Sequence, residues 1–426
     1  MSDPTMPPRK EAEAIFIDPR AYADLDAWHA VAARLRRDDP VHRVEADGFD
    51  PFWAVTRHAD VVEIERQNDK FLNTAHSVLF PRGAFEHMDS AGAGLKTLIH
   101  MDGGEHRAYR GVTNDWFKPM NLRRMMEARI LELARKHVDG MLEHGGECDF
   151  AMDVARFYPL EVIMGILGVP EADEPRMLDL TQKLFGAEDP DFAAGADRAQ
   201  AINAAVLDFA EYFNRVTAER RANPTGDLAS TIANGRIGGE PLRDLQTFSY
   251  YVIVATAGHD TTSSSLAGGL EALIRNPDQL RMLQEKPELI DNAVDEMIRW
   301  VTPVRHFMRY AQEDYVLGKT RIRAGDGLLM SYLSANRDDA VFSDPFRFDV
   351  ARVNAGEHLA FGIGVHFCLG AHLARMELRA FFRELLPRLN SIELAAPTEY
   401  TASTFVGSPK RMQIRYNLRP AAAARE

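Results

Sequence analysis

Hydrophobic and polar positions alternate in two rhythms along the 426-residue chain. Val41-His42-Arg43-Val44 and Phe52-Trp53-Ala54-Val55 carry strand-like patterns. The turn residues Asp47-Gly48-Phe49-Asp50-Pro51 lie between them, so the segment predicts a hairpin. From His58 to Gln67 the period lengthens to that of a helix. Leu122 to Leu142 places Met125, Ile130, Leu133, Val138 and Met141 at helical spacing and stops at Gly145-Gly146. Helical patterns return over Asp153–Leu167, Ala199–Arg221 and Arg243–Arg275. The last would be roughly 50 Å long if unbroken, enough to cross a whole domain. Strand patterns reappear at Phe307–Tyr310, Leu328–Leu333 and Met412–Tyr416. Between Asn73 and Gly104 neither rhythm holds. Loops that long in compact domains are functional or disordered, so Val78, Leu79, Phe80, Phe85 and Met88 either line a pocket or pack on the body.

These elements predict a mainly α protein with small β-sheets, since the strands are too scattered for a doubly wound α/β pattern. The chain shows no repeat and no low-complexity linker. One globular unit spanning 1–426 is expected, with loose tails over 1–14 and 420–426.

Composition narrows the function classes. The chain is 46% hydrophobic and 27% charged, as globular proteins are. Fifty basic against 63 acidic residues give a net charge of −13, which disfavours nucleic acid or an anionic membrane as general partner. No run approaches the ~20 apolar residues that span a bilayer, and the first residues lack the apolar core of an export signal. Cys148 and Cys368 cannot build a disulfide framework, so a cytoplasmic location is expected.

The sharpest chemical signal is Phe361-Gly362-Ile363-Gly364-Val365-His366-Phe367-Cys368-Leu369-Gly370, followed by a helical run from Ala371 to Leu386. Three glycines let a loop turn tightly against something flat and leave main-chain N–H groups near the sulfur. A thiolate at a helix start also gains from the positive end of the dipole. Such a cysteine can serve as axial ligand to a haem iron, where electron donation from sulfur favours O–O cleavage. Two other readings fit the residues alone. A lone cysteine is commonly a small buried hydrophobe, and His366, Cys368 and His372 could hold zinc, though without the usual paired-cysteine spacing.

The loop resembles the haem-binding signature of the cytochrome P450 monooxygenases, and other motifs of that family recur in order from about Ile17 to Leu418. Ser334-Ala335-Asn336-Arg337-Asp338 and Thr404-Phe405-Val406-Gly407-Ser408-Pro409-Lys410 resemble the terpineol-hydroxylating bacterial branch. The resemblance implies the P450 fold, with a long central helix over the haem and the cysteine loop beneath it. It also implies haem b ligated by Cys368.

Three further sets carry the likeness. Glu296 and Arg299 stand three apart on one helix face and can pair; with Arg352 they match the family's structural Glu–Arg–Arg brace. Ala257-Gly258-His259-Asp260-Thr261-Thr262 puts poor helix formers inside the long helix, where Thr hydroxyls can bond back and bend it. By resemblance this kink lies on the oxygen side of the haem, Asp260 relays protons, and Thr261 holds the bound oxygen species and its water. His106, Arg110, Arg309 and His366 match the positions that receive the haem propionates, two carboxylates that need cationic or N–H partners. Where the family often has two prolines, this chain has Asp102-Gly103-Gly104-Glu105-His106, so a more flexible helix entry is expected. Phe80, Phe85, Met88, Val304, Phe405 and Val406, with Gly258 beside the iron, are the expected pocket, whose apolar walls fit a terpenoid or alkyl-aromatic.

The resemblance therefore implies a monooxygenase that takes O2 and hydroxylates a C–H bond of a small hydrophobic substrate, a monoterpene or alkyl-aromatic such as terpineol or p-cymene. No flavin domain, Rossmann glycine fingerprint or cysteine cluster is visible. Electrons are expected from a separate ferredoxin and its NAD(P)H-dependent reductase, docking near Arg123, Arg124 or Arg375 on a monomer. Two rivals stand beside this reading. A haem-binding sensor or carrier would have no need of Asp260-Thr261. A peroxide-using haem-thiolate enzyme has Arg-Pro in that place.

Overall fold

The computed structural model describes residues 9–74, 76–83, 96–185 and 198–421. Helices dominate, and eight of them position the features discussed below: α1 (His58–Glu65), α2 (Gly103–Asn114), α3 (Pro119–Glu143), α4 (Phe157–Ile166), α5 (Asp244–Ala257), α6 (Asp260–Arg275), α7 (Ile290–Val301) and α8 (Ala371–Leu385). α3 starts on a proline, whose fixed φ suits the first turn. It runs out into Gly145 and Gly146 at φ +68° and +94°, where other residues would be strained. Its buried face, Leu122, Met126, Ile130, Leu133, Val138 and Met141, keeps the spacing read from the sequence except that Met126, not the expected Met125, is the buried methionine. α6 contacts α4, α7 and α8, so the second half of the predicted long helix threads the core.

Among the described residues, a five-stranded and a three-stranded sheet, beside three two-stranded ones, pack around the helices. β1 (Val41–Val44), β2 (Phe52–Val55), β3 (Phe71–Leu72), β5 (His306–Ala311) and β6 (Gly327–Ser331) form one sheet in the order β1-β2-β6-β5-β3. The predicted hairpin is its antiparallel edge, with Val41 opposite Val55. β2 and β6 pair in parallel, Phe52 opposite Gly327 and Val55 opposite Met330. The second sheet joins β4 (Glu147–Asp149), β7 (Leu389–Leu394) and β8 (Gln413–Leu418) in the order β7-β8-β4.

The structure corrects four boundaries. The helix expected over 243–275 is two, α5 and α6, broken at Gly258-His259. The expected strand through Leu333 ends at Ser331, and Tyr332–Ala335 is a helical turn. Met412 sits between two strands rather than inside one. The N-terminal tail is not loose up to residue 14, because Arg9–Ile17 is helical and buries Ala12, Ile15 and Phe16. Apolar spacing over those residues was sufficient to hold them down. Among the described residues no helix is long and apolar enough to cross a membrane.

Candidate functional site

The break between α5 and α6 has a packing cause and a polar one. A Cβ on Gly258 would lie 2.7 Å from Cδ1 of Ile163 on α4, so only glycine lets the two helices approach so closely. That side of Gly258 therefore faces Ile163, not an open pocket. Thr256 donates to the carbonyl of Val252 at 2.7 Å and Thr261 to that of Ala257 at 2.9 Å, the back-bonding expected to bend a helix. Ala257 is exposed although Val254 to Thr256 beside it are buried. A small apolar residue open to space within an internal helix marks a slot.

Asp260 is the first residue of α6, with its carboxylate partly exposed. Its Oδ1 lies 3.0 Å from Nδ1 of His259, whose Nε2 lies 2.7 Å from the carbonyl oxygen of Arg156. A carbonyl only accepts, so Nε2 carries a proton.

The cysteine loop takes the form its glycines require. Gly362 and Gly364 have φ of +63° and +76°, and a Cβ on Gly364 would meet the carbonyl oxygen of Glu65 at 2.5 Å. The Cys368 N–H donates to the carbonyl of Phe361 at 2.9 Å, closing the loop. Cys368 itself is exposed, yet to an opening that protein surrounds. Desolvation there pushes its thiol above the ordinary range, against the N–H groups of Gly370 and Ala371 and the charges of Arg110 and Arg375, which pull it down. Ligation by a metal would remove that proton outright.

Two basic groups converge on this opening with no hydrogen bond or ion pair among the described residues. Arg110 is half-buried and has no hydrogen bond or ion pair among the described residues; burial lowers its pKa and the nearby Cys368 raises it. His106 is buried, with its ring centroid 4.2 Å from that of His366. Burial, then His366 and Arg110, push His106 down to about 4. A buried cation normally finds an anion, so unpaired Arg110 and proton-poor His106 fit a site that receives the carboxylates of a haem, with Cys368 as the sulfur ligand.

His366 and Arg309 already have protein partners. His366 Nε2 lies 3.4 Å from Oδ1 of Asp102, whose Oδ2 accepts the N–H groups of Asn73 and Thr74 at 2.9 and 2.8 Å. Burial raises the pKa of Asp102, but those bonds hold it below the usual carboxylate value. Gly103, where relatives often have proline, has φ +57°, a conformation closed to proline. The helix entry is thus a defined turn that frees Asp102 to hold residues 73 and 74. Arg309 is buried and pairs with Glu65, a residue the sequence reading missed. A single glutamate at a helix end gives no sequence signal of such a partner.

The expected brace forms in full. Arg299 Nε and Nη2 donate to Glu296 at 2.6 and 2.8 Å, Arg352 Nε lies 3.1 Å from the same carboxylate, and all three are buried. The remaining guanidinium N–H groups reach carbonyls of Asn336, Pro345, Ser343 and Arg347.

Of the expected pocket residues, Val304 and Val406 meet in a β-bridge, and Phe405 packs on Phe307 at 5.4 Å. Phe80 follows Leu79, whose N–H reaches His306, two residues beyond Val304 of that bridge. Phe85 and Met88 lie outside the described residues. Among the docking arginines, Arg123 lines a surface cavity of about 320 Å³ between α3 and α8, with His372, Arg379 and Arg383. Arg375 is no free docking charge: it bonds Asp295 at 2.6 Å and lies over the Phe361 ring at 4.6 Å. No three His, Cys, Asp or Glu side chains among the described residues are arranged to hold a metal, so the zinc grouping of His366, Cys368 and His372 does not form.

Comparison with known proteins agrees with this geometry. The family profile described as Cytochrome P450 matches residues 74–414. Cytochrome P450-terp of a Pseudomonas species is 43% identical over 93% of this chain and 95% of its own. Linalool 8-monooxygenase of Pseudomonas putida is 32% identical over 91% and 95%. The crystal structure of CYP108D1 from Novosphingobium aromaticivorans superposes with a TM-score of 0.90 at 41% identity, covering 97% of this chain and 99% of that one.

Proposed function

Because the chain belongs to the cytochrome P450 family and is a monooxygenase of that family, we propose that it hydroxylates an alkyl carbon of a monoterpene or alkyl-aromatic such as terpineol or p-cymene. One observation supports the chemistry above all. A thiol under the N–H groups of Gly370 and Ala371 opens to a space where, among the described residues, Arg110 and His106 have no hydrogen bond or ion pair. Haem b, which the family implies, would be held there by Cys368 and its propionates by His106, Arg110 and His366, with Arg309 behind them. Bound, it supplies the oxidation of the C–H bond by O2.

The chain's own residues would orient and protonate. Thr261 spends its hydroxyl proton on the carbonyl of Ala257. Its lone pairs remain free to accept, and it would hold a water in place by accepting a hydrogen bond from one of that water's O–H groups. Asp260, its carboxylate partly exposed and 3.0 Å from His259, would pass protons from outside to that water. Val304, Val406 and Phe405 give the substrate an apolar wall, and the names of the two Pseudomonas relatives point to the same substrate class. Electrons would come from a separate ferredoxin and its NAD(P)H-dependent reductase. The cavity between α3 and α8 would meet an acidic partner through Arg123, since Arg379 and Arg383 there already pair with Asp291 at 3.1 and 3.0 Å.

Optical titration of the purified ferric protein tests the substrate. A low- to high-spin Soret shift with α-terpineol, p-cymene or limonene is expected. A shift with a fatty acid alone would overturn the substrate class and leave the monooxygenase, whereas a shift with camphor alone would keep a monoterpene and remove terpineol and p-cymene. Cys368→Ala should abolish the thiolate band of the reduced CO complex; its persistence would refute the ligand.

A further inference from the structure

Glu65 is the last residue of α1, with a fully buried side chain. Three donors from three distant parts of the chain converge on its carboxylate. Arg309 of β5 reaches Oε1 as an ion pair, the Tyr332 hydroxyl donates to Oε1 at 2.5 Å, and the Ile363 N–H donates to Oε2 at 3.0 Å. Tyr332 is itself fully buried. The main chain of Glu65 also touches the loop, since its carbonyl oxygen fills the space a Cβ on Gly364 would need. Ile363 and Gly364 belong to the glycine turn that ends at Cys368. One carboxylate thus ties the cysteine loop to the strand bearing Arg309.

Charge makes the arrangement more than a tether. A carboxylate taken wholly out of water is tolerated only when paired and hydrogen-bonded, and Glu65 meets both conditions. The Glu65–Arg309 pair sums to zero beside the loop. Without the glutamate, a full positive charge would remain buried there, because an arginine does not surrender its proton. Positive charge next to an iron site favours the reduced, more electron-rich state.

We propose that Glu65 is a positioning residue for the Cys368 loop and that, by cancelling the charge of Arg309, it holds down the reduction potential of the iron bound to Cys368. The proposal rests on the haem-thiolate reading above. From it follows that the partner must deliver electrons against a lower potential than the arginine alone would set.

The test is the midpoint potential of the haem-loaded protein in wild type, Glu65→Gln and Tyr332→Phe. Gln keeps an acceptor for Ile363 and loses the charge; Phe removes a hydrogen bond and keeps every charge. Glu65→Gln should favour the reduced state at least about tenfold, ~59 mV for one electron, with Tyr332→Phe nearly unchanged. An unmoved Glu65→Gln potential, or equal shifts in both variants, would overturn the proposal. Should Glu65→Gln fail to retain haem, Glu65→Asp decides: retention by the variant that keeps the charge supports the proposal, and equal failure of both overturns it. Absence of a thiolate CO band in the wild type would instead sink the haem-thiolate reading itself, a result separable from all of these.

Discussion

Leu79 donates its main-chain N–H to Nε2 of His306 at 3.2 Å, while Nδ1 of the same ring faces the carbonyl oxygen of Thr404 at 3.0 Å. Because one nitrogen accepts and the other donates, the ring is neutral and its tautomer fixed. It clamps the segment leading to Phe80 against the turn bearing Phe405. Burial, with Arg305 adding to it, pushes His306 down to about 4.

That depression makes stability depend on pH in a definite direction. An unfolded His306 takes up a proton near its ordinary 6.5, the folded one only near about 4. Between those values the unfolded state binds more protons, so stability falls as pH falls. From pH 7 to 5 the group should cost roughly 2 kcal/mol. Denaturant titrations at both pH values should show the wild type losing that much more than His306→Gln. Equal losses would show that the ring does not titrate as the clamp requires.

Thr261→Ala removes the hydroxyl that would hold the water, leaving haem and thiolate untouched. Reductant consumption should continue while product per electron pair falls at least about tenfold, since a positioned proton-transfer group is worth roughly a hundredfold or more in rate. Thr261→Ser should recover much of the coupling. Unchanged coupling in the alanine variant would remove Thr261 from proton delivery.

Glu296→Ala leaves Arg299 and Arg352 buried without a counter-charge. Such a break costs ~3–5 kcal/mol. Chemical denaturation should register that loss at neutral pH, and a change below about 1 kcal/mol would show a brace held by its carbonyl partners instead.

Two alanine substitutions separate backbone strain from collision. Both Gly362 and Gly364 have positive φ, but a Cβ on Gly362 has its nearest atom at 3.6 Å, against 2.5 Å at Gly364. Gly362→Ala should cost about 1–2 kcal/mol of strain and keep the thiolate CO band. Gly364→Ala must push the loop off Glu65, and loss of the band in that variant alone is expected. Identical spectra for the two would contradict the close approach.

What the sequence revealed follows from how locally each feature is encoded. The hairpin, α3 and α8 were visible because their periods and stop signals lie within a few residues. The Glu296–Arg299 pair was visible because it spans one helical turn. Family likeness added Arg352, which local spacing could not. The helix break was legible as odd composition, yet its position depends on Ile163 filling the space beside Gly258. Glu65 and His306 escaped notice because their partners, Arg309, Tyr332 and Ile363 for one, Leu79 and Thr404 for the other, lie far along the chain. Arg375 was misjudged because nothing nearby in sequence announces Asp295.

The parallel pairing of β2 with β6 carries a consequence for how the protein is made. Phe52–Val55 has its β1 partner at once, but the other edge waits for Gly327–Met330. At about 5–20 residues per second, that wait on the ribosome lasts on the order of tens of seconds. Throughout it the hairpin offers an open edge to whatever strand it meets. Glu65 waits longer still, for Ile363. Haem capture at Cys368 would therefore be a late event in biosynthesis, and the open edge persists until the last quarter of the chain has begun to emerge.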